Sequence, residues 1–116
     1  MSVSEPVAVA QVNELEPESA IRIPADRCGA TEDIALVRAE DGTFYAISDL
    51  CTHAEVSLSE GFVEGSLIEC PGHGSQFCLR NGHPQMPPAN VPVRTYPVEV
   101  RGDQVWLTPV PNPVEP

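Results

Sequence analysis

Apolar residues fall at every second position in several short runs of this chain, the period of a half-buried strand. Val7 to Val12 alternates valine with small or polar residues and predicts a first strand. In a second, over 20–23, Ile21 and Ile23 face one side and Arg22 the other, and Pro24 stops the pairing. Asp33 to Ala39 and Thr43 to Ile47 predict the next two strands. Glu40-Asp41-Gly42 lies between them, and Asp-Gly between apolar runs is a strong hairpin signal. Phe62-Val63 and Leu67-Ile68 about Glu64-Gly65 predict another short hairpin. Ser75 to Leu79 predicts a strand closed by a turn at Asn81-Gly82. Val93 to Val100 reads as one long strand interrupted at Pro97, and Arg101-Gly102-Asp103-Gln104 turns it back into Val105-Trp106-Leu107.

The remaining segments pair poorly. Met1 to Pro6 reads as a frayed arm, His83-Pro84-Gln85-Met86-Pro87-Pro88 is too rich in proline, and residues 108–116 hold four prolines. Thirteen prolines, eight glycines and only 5% aromatic residues over 116 positions argue against long helices. The expectation is one all-β domain.

Charge narrows the partners. The formal net charge is −11, and all six basic residues are Arg. That balance opposes nucleic acid, whose phosphates need a basic surface, and favours partners with basic docking faces. The first twenty residues hold no Lys or Arg and no long apolar run, so neither a secretory signal nor a membrane anchor is expected. A soluble, cytoplasmic protein is expected.

The chemistry concentrates in Cys51-Thr52-His53 and Cys70-Pro71-Gly72-His73. Each offers one thiolate and one imidazole in the same order. A zinc site uses the same residue types, commonly as close pairs of like residues. Alternation suits a binuclear centre better, with Cys51 and Cys70 on one iron and His53 and His73 on the other. That is the ligation of a Rieske centre. Cys28 and Cys78 read as free thiols, with a bridge between them the less favoured alternative, and His83 reads as a surface-turn residue.

Beyond the ligands, the first loop continues Ala54-Glu55-Val56-Ser57-Leu58-Ser59-Glu60-Gly61. The second continues Gly74-Ser75-Gln76-Phe77, with Asn81-Gly82 and Pro87-Pro88-Ala89 behind it. Over roughly residues 40 to 107 this resembles the soluble Rieske-type ferredoxins that feed ring-hydroxylating dioxygenases. The resemblance implies antiparallel sheets forming a base domain, with a small cluster-binding subdomain inserted at about residues 49 to 84. It implies one [2Fe–2S] cluster per chain, bound by Cys51, His53, Cys70 and His73, and a proline-containing loop covering it. Two neutral imidazoles leave such a cluster without formal charge when oxidised, so it accepts an electron more readily than a four-thiolate cluster. The implied partners are a flavoprotein ferredoxin reductase and a terminal Rieske oxygenase. The alternative is the small subunit of a nitrite reductase, a branch in which the ligands are often missing.

Catalysis by this chain alone is not expected. With two histidines on the cluster only His83 remains, too few for the two-His, one-carboxylate iron site of an oxygenase. No GxGxxG stretch suggests a Rossmann-type dinucleotide site. Relative to high-potential respiratory members, Val56 and Gly72 stand where a bracing disulfide would be, and Phe77 stands in place of a Tyr. Ser75 matches a serine that donates to a bridging sulfide. Thr52 and Ser57 are expected to be structural. From Ala39 to Leu79 there is no basic residue, and at least some of Glu40, Asp41, Asp49, Glu55, Glu60, Glu64 and Glu69 are expected to steer a basic partner.

Overall fold

The computed structural model describes residues 5–51, 56–72, 74–85 and 91–112. Its strands are β1 (Val7–Gln11), β2 (Ser19–Ile23), β3 (Ile34–Arg38), β4 (Phe44–Ser48), β5 (Phe62–Glu64), β6 (Leu67–Glu69), β7 (Gln76–Cys78), β8 (Thr95–Tyr96), β9 (Val98–Arg101) and β10 (Gln104–Leu107). Every strand pairing described is antiparallel. They form three sheets, ordered β1-β10-β9, β2-β3-β4-β8 and β5-β6-β7. The class is all-β, as the alternation predicts. No described helix is long and apolar enough to cross a membrane.

The four-stranded sheet is the middle layer, because successive side chains of a strand point to opposite faces. Ile34 and Leu36 of β3, with Phe44 and Ala46 of β4, pack into a core with Val9, Val105 and Leu107 of the β1-β10-β9 sheet. Ala35 and Val37 of β3, with Ile47 of β4, pack into a second core with Leu58, Ile68, Phe77 and Leu79. Hence β3 reads as an unbroken apolar run: a strand covered on both faces has no solvent side to alternate with.

Three local features depart from the alternation. Val12 is not the end of β1 but opens a 3-10 turn, Val12–Glu14. The stretch around Cys28, between the second and third strands, is one turn of helix, α1 (Ala25–Cys28). Asp33 Oδ1 accepts from Ala25 N–H at 2.9 Å at its start, and Gly29 ends it with a left-handed φ of 81°. The third is the long strand expected over 93–100, which divides at Pro97. β8 pairs with β4 in the middle sheet, whereas β9 pairs with β10 in the other. Proline has no N–H for either ladder, so it sits where the chain crosses between them.

Cys28 and Cys78 are free thiols. Cys28 lies buried in the first core, and Cys78 lies half-buried on β7. The entry into β5 depends on Gly61, where an added Cβ would fall 2.0 Å from the Glu69 carbonyl oxygen.

Candidate metal centre

Two loops carry the candidate thiolates, and they close in the same way. The first leaves β4, and Cys51 N–H donates to the Val56 carbonyl at 3.1 Å. The second joins β6 to β7, and Cys70 N–H donates to the Ser75 carbonyl at 2.7 Å. In each, the cysteine is tied to the carbonyl five residues on, and the histidine falls in sequence within the span. His53 and His73 themselves lie outside the described residues, as do Thr52 and Glu55, and Met86 to Asn90 of the proline segment.

Cys51 and Cys70 are 3% and 1% exposed and belong to the same apolar core. The loops meet there. A Cβ built on Gly72 would lie 3.5 Å from Val56 Cγ1 and 3.9 Å from Cys70 Sγ. Packing contact thus occupies the positions where the resemblance places a disulfide in high-potential members. Ser75 and Phe77 are fully buried. Two buried thiols at the mouths of touching loops fit half the donor set of a Rieske cluster, two thiolates on one iron. Among the described residues no three metal-binding side chains converge, as follows when two of the four expected ligands fall outside them.

Several supporting residues escape a motif-based reading. Asp49, counted above with the acidic docking residues, is instead 5% exposed. Its carboxylate accepts from Ser57 Oγ and, at 2.8 Å, from Ser59 N–H, an internal use that removes it from any docking face. Glu40, Asp41, Glu60 and Glu64 are exposed and Glu69 is half-buried. Glu32 accepts from Ser48 Oγ at 2.9 Å, from Arg94 Nη1 at 3.2 Å and from the Tyr96 hydroxyl. It thereby fastens β8 to the end of β4 from which the first loop departs. Burial, then the bond to Glu32, raises the Tyr96 phenol well above its ordinary range.

Beside this network lies an open hollow of about 450 Å³, with Cys51 on its wall. Leu50 and Val91 also line it, exposed by 55% and 53%. Single apolar residues in loops leave no periodic signal, so no pattern along the chain marks them. His83 sits on the turn after β7, where Asn81 Oδ1 accepts its N–H at 2.9 Å and its carbonyl accepts Cys78 N–H at 2.9 Å. Gly82, with a φ of 77°, lets this turn meet the returning chain. A Cβ there would fall 2.1 Å from the Val93 carbonyl oxygen.

Comparison with known proteins agrees with this geometry. Residues 5–97 match the Rieske [2Fe–2S] domain model. The chain is 44% identical over 79 residues to the 3-phenylpropionate/cinnamic acid dioxygenase ferredoxin subunit of Photorhabdus laumondii, covering 67% of this chain and 74% of the relative. It is 37% identical over 97 residues to the biphenyl dioxygenase ferredoxin subunit of Pseudomonas sp. strain KKS102, covering 83% and 84%. Among solved structures, it superposes with a TM-score of 0.84 and 33% identity on a chain from the complex of reduced oxygenase and oxidised ferredoxin in carbazole 1,9a-dioxygenase, covering 94% and 97%. A nitrite reductase small subunit from Mycobacterium tuberculosis superposes at 0.79 with 20% identity, covering 91% and 96%, a likeness of fold alone. Built on paired cysteine loops and matched over most of its length, this chain belongs to the Rieske [2Fe–2S] family and has a Rieske-type [2Fe–2S] cluster as its cofactor.

Proposed function

We propose that this chain is the ferredoxin of a ring-hydroxylating oxygenase system, carrying single electrons from a flavoprotein reductase to a terminal Rieske oxygenase. In this reading Cys51 and Cys70 hold one iron and His53 and His73 the other. The observation that carries it is the pair of buried thiols at the mouths of two identically closed, touching loops. When bound, the cluster supplies a one-electron couple. The protein's part is to position and cover. Leu58, Ile68, Phe77 and Leu79 keep water from the cysteine side, where a thiolate would otherwise be hydrated. The relatives are ferredoxin subunits of dioxygenases, and one structural neighbour comes from a complex of ferredoxin with oxygenase, which supports the oxygenase as electron acceptor. The reductase and a cytoplasmic location complete the same reading. So does the insert at about residues 49 to 84, supported by a β5-β6-β7 sheet that pairs with no other described strand.

Ligand substitution tests this directly. Cys51→Ser, Cys70→Ser, His53→Ala and His73→Ala should each prevent stable cluster assembly, measured as iron, acid-labile sulfide and the EPR signal of reduced protein. A full Rieske signal from His53→Ala would overturn the ligand set.

A further inference from the structure

We infer that Asp49 is the positioning residue of the first cluster loop, setting where Cys51 sits by clasping the chain on the far side of that loop. This rests on the proposed role of Cys51 as a ligand. Asp49 stands at the end of β4, two residues before Cys51, and is almost wholly buried. A buried carboxylate is tolerated only when its oxygens are occupied, and here both are. Oδ1 accepts from Ser59 N–H at 2.8 Å and Oδ2 from Ser57 Oγ. The main chain of Asp49 adds two more ties: its carbonyl accepts Leu58 N–H at 2.6 Å, and its N–H donates to the Asp33 carbonyl at 3.0 Å.

These bonds replace an ordinary cap. Leu58–Glu60 is a 3-10 turn, and the first N–H groups of such a turn lack partners within it. Ser57 precedes the turn but makes no capping bond from its side chain. Its hydroxyl goes to Asp49 instead, and lies 2.8 Å from Ser59 Oγ. The carboxylate therefore caps the turn from across the loop. Asp49 thus ties residues 57 to 59 back to the end of β4, with the Cys51–Val56 bond as an inner tie. The second loop has no counterpart, since Ile68 stands two residues before Cys70. Removal of the carboxylate would leave only the main-chain ties and take the acceptors from Ser57 Oγ and Ser59 N–H. An asparagine would keep both contacts, accepting from Ser59 N–H and donating to Ser57 Oγ.

The test uses cluster-loaded protein, reading iron release to a chelator by the decay of visible absorbance and the midpoint potential by voltammetry. Asp49→Ala should release iron about tenfold faster, the lower end of what outer-shell partners of metal ligands contribute, and should shift the potential. Asp49→Asn should recover most of both. Ser57→Ala, which removes one bond of the clasp, should fall between wild type and Asp49→Ala, and it serves if Asp49→Ala does not fold. Val105→Ala, in the other core, should lower thermal stability while leaving iron release and potential at wild-type values. Asp49→Asn behaving like Asp49→Ala, or Val105→Ala accelerating iron release as much, would overturn the inference. Cys51→Ser retaining its cluster would overturn the ligand reading instead, whatever Asp49→Ala does.

Discussion

The two faces of the middle sheet are built differently. One face sets Ile23, Ile34, Leu36 and Phe44 against Val9, Val105 and Leu107. The covering strands β1, β9 and β10 are four or five residues long. On the other face β3 offers Ala35 and Val37, smaller than Ile34 and Leu36, beside Ile47 of β4, to a sheet whose three strands have three residues each. That second core also contains Cys51 and Cys70, the thiols proposed above as cluster ligands. On the proposed ligand set, the first face closes with protein alone, whereas the second is completed by the cluster, so that part of its folding free energy is binding free energy.

Removing the cluster gives the largest expected effect on this contrast. In apo protein the amides of β5 to β7 and of residues 56–59 should exchange with solvent at least about a hundredfold faster, a local loss on the order of 3 kcal/mol. The centre of β3 should keep its protection. Equal loss on both faces, measured by hydrogen exchange, would erase the distinction.

A smaller effect is expected at Tyr96, whose hydroxyl anchors β8 to Glu32. Tyr96→Phe should cost about 2 kcal/mol at pH 8, the scale of a hydrogen bond to a charged group. The folded phenol titrates above its ordinary value of 10.0. An unfolded chain therefore releases this proton first, and the stability it confers is complete below about pH 10 and declines as pH rises beyond that. Urea titrations at pH 8 and pH 11 should find the gap between wild type and Tyr96→Phe narrowed at the higher pH. A constant gap would contradict the raised pKa.

The smallest effect sharpens the cluster face itself. Without the tyrosine of high-potential relatives, and with an acidic surround, the midpoint should lie nearer about −150 mV than +300 mV. Phe77→Tyr should raise it by roughly 40 mV, about 1 kcal/mol of redox-dependent hydrogen bonding. Phe77 is fully buried, so a hydroxyl that finds no sulfur would be left unpaired and destabilising by about 1–3 kcal/mol. Voltammetry showing an unchanged potential, together with a lowered melting temperature, would mean that the hydroxyl misses the sulfur.

The contrast between the faces also explains what the sequence disclosed. Hairpins flagged by Asp41-Gly42 and Glu64-Gly65 were legible because turn chemistry is local. The two cysteine motifs were legible because ligand types and spacing are written in the chain, although residue types alone left zinc open. Asp49 was not, because an exposed and a buried aspartate are the same letter until residues eight and ten positions on fold back to it. The Glu32–Tyr96 tie spans 64 positions and carries no local signature. Pro97 was read as an interruption, but alternation cannot say that the two halves belong to different sheets.

That crossing at Pro97 has a consequence for assembly on the ribosome. β4 finds its second neighbour only when Thr95 and Tyr96 arrive, about fifty residues later. Both cysteine loops are synthesised before then, while one edge of the middle sheet stands open. The residues that close it lead directly, through one proline, into β9, which β10 then joins to β1 in the other sheet. Non-local pairings of this kind are the slow steps of folding. The last fifth of the chain therefore acts as a latch: two sheets are completed together, after both cysteine loops have been made.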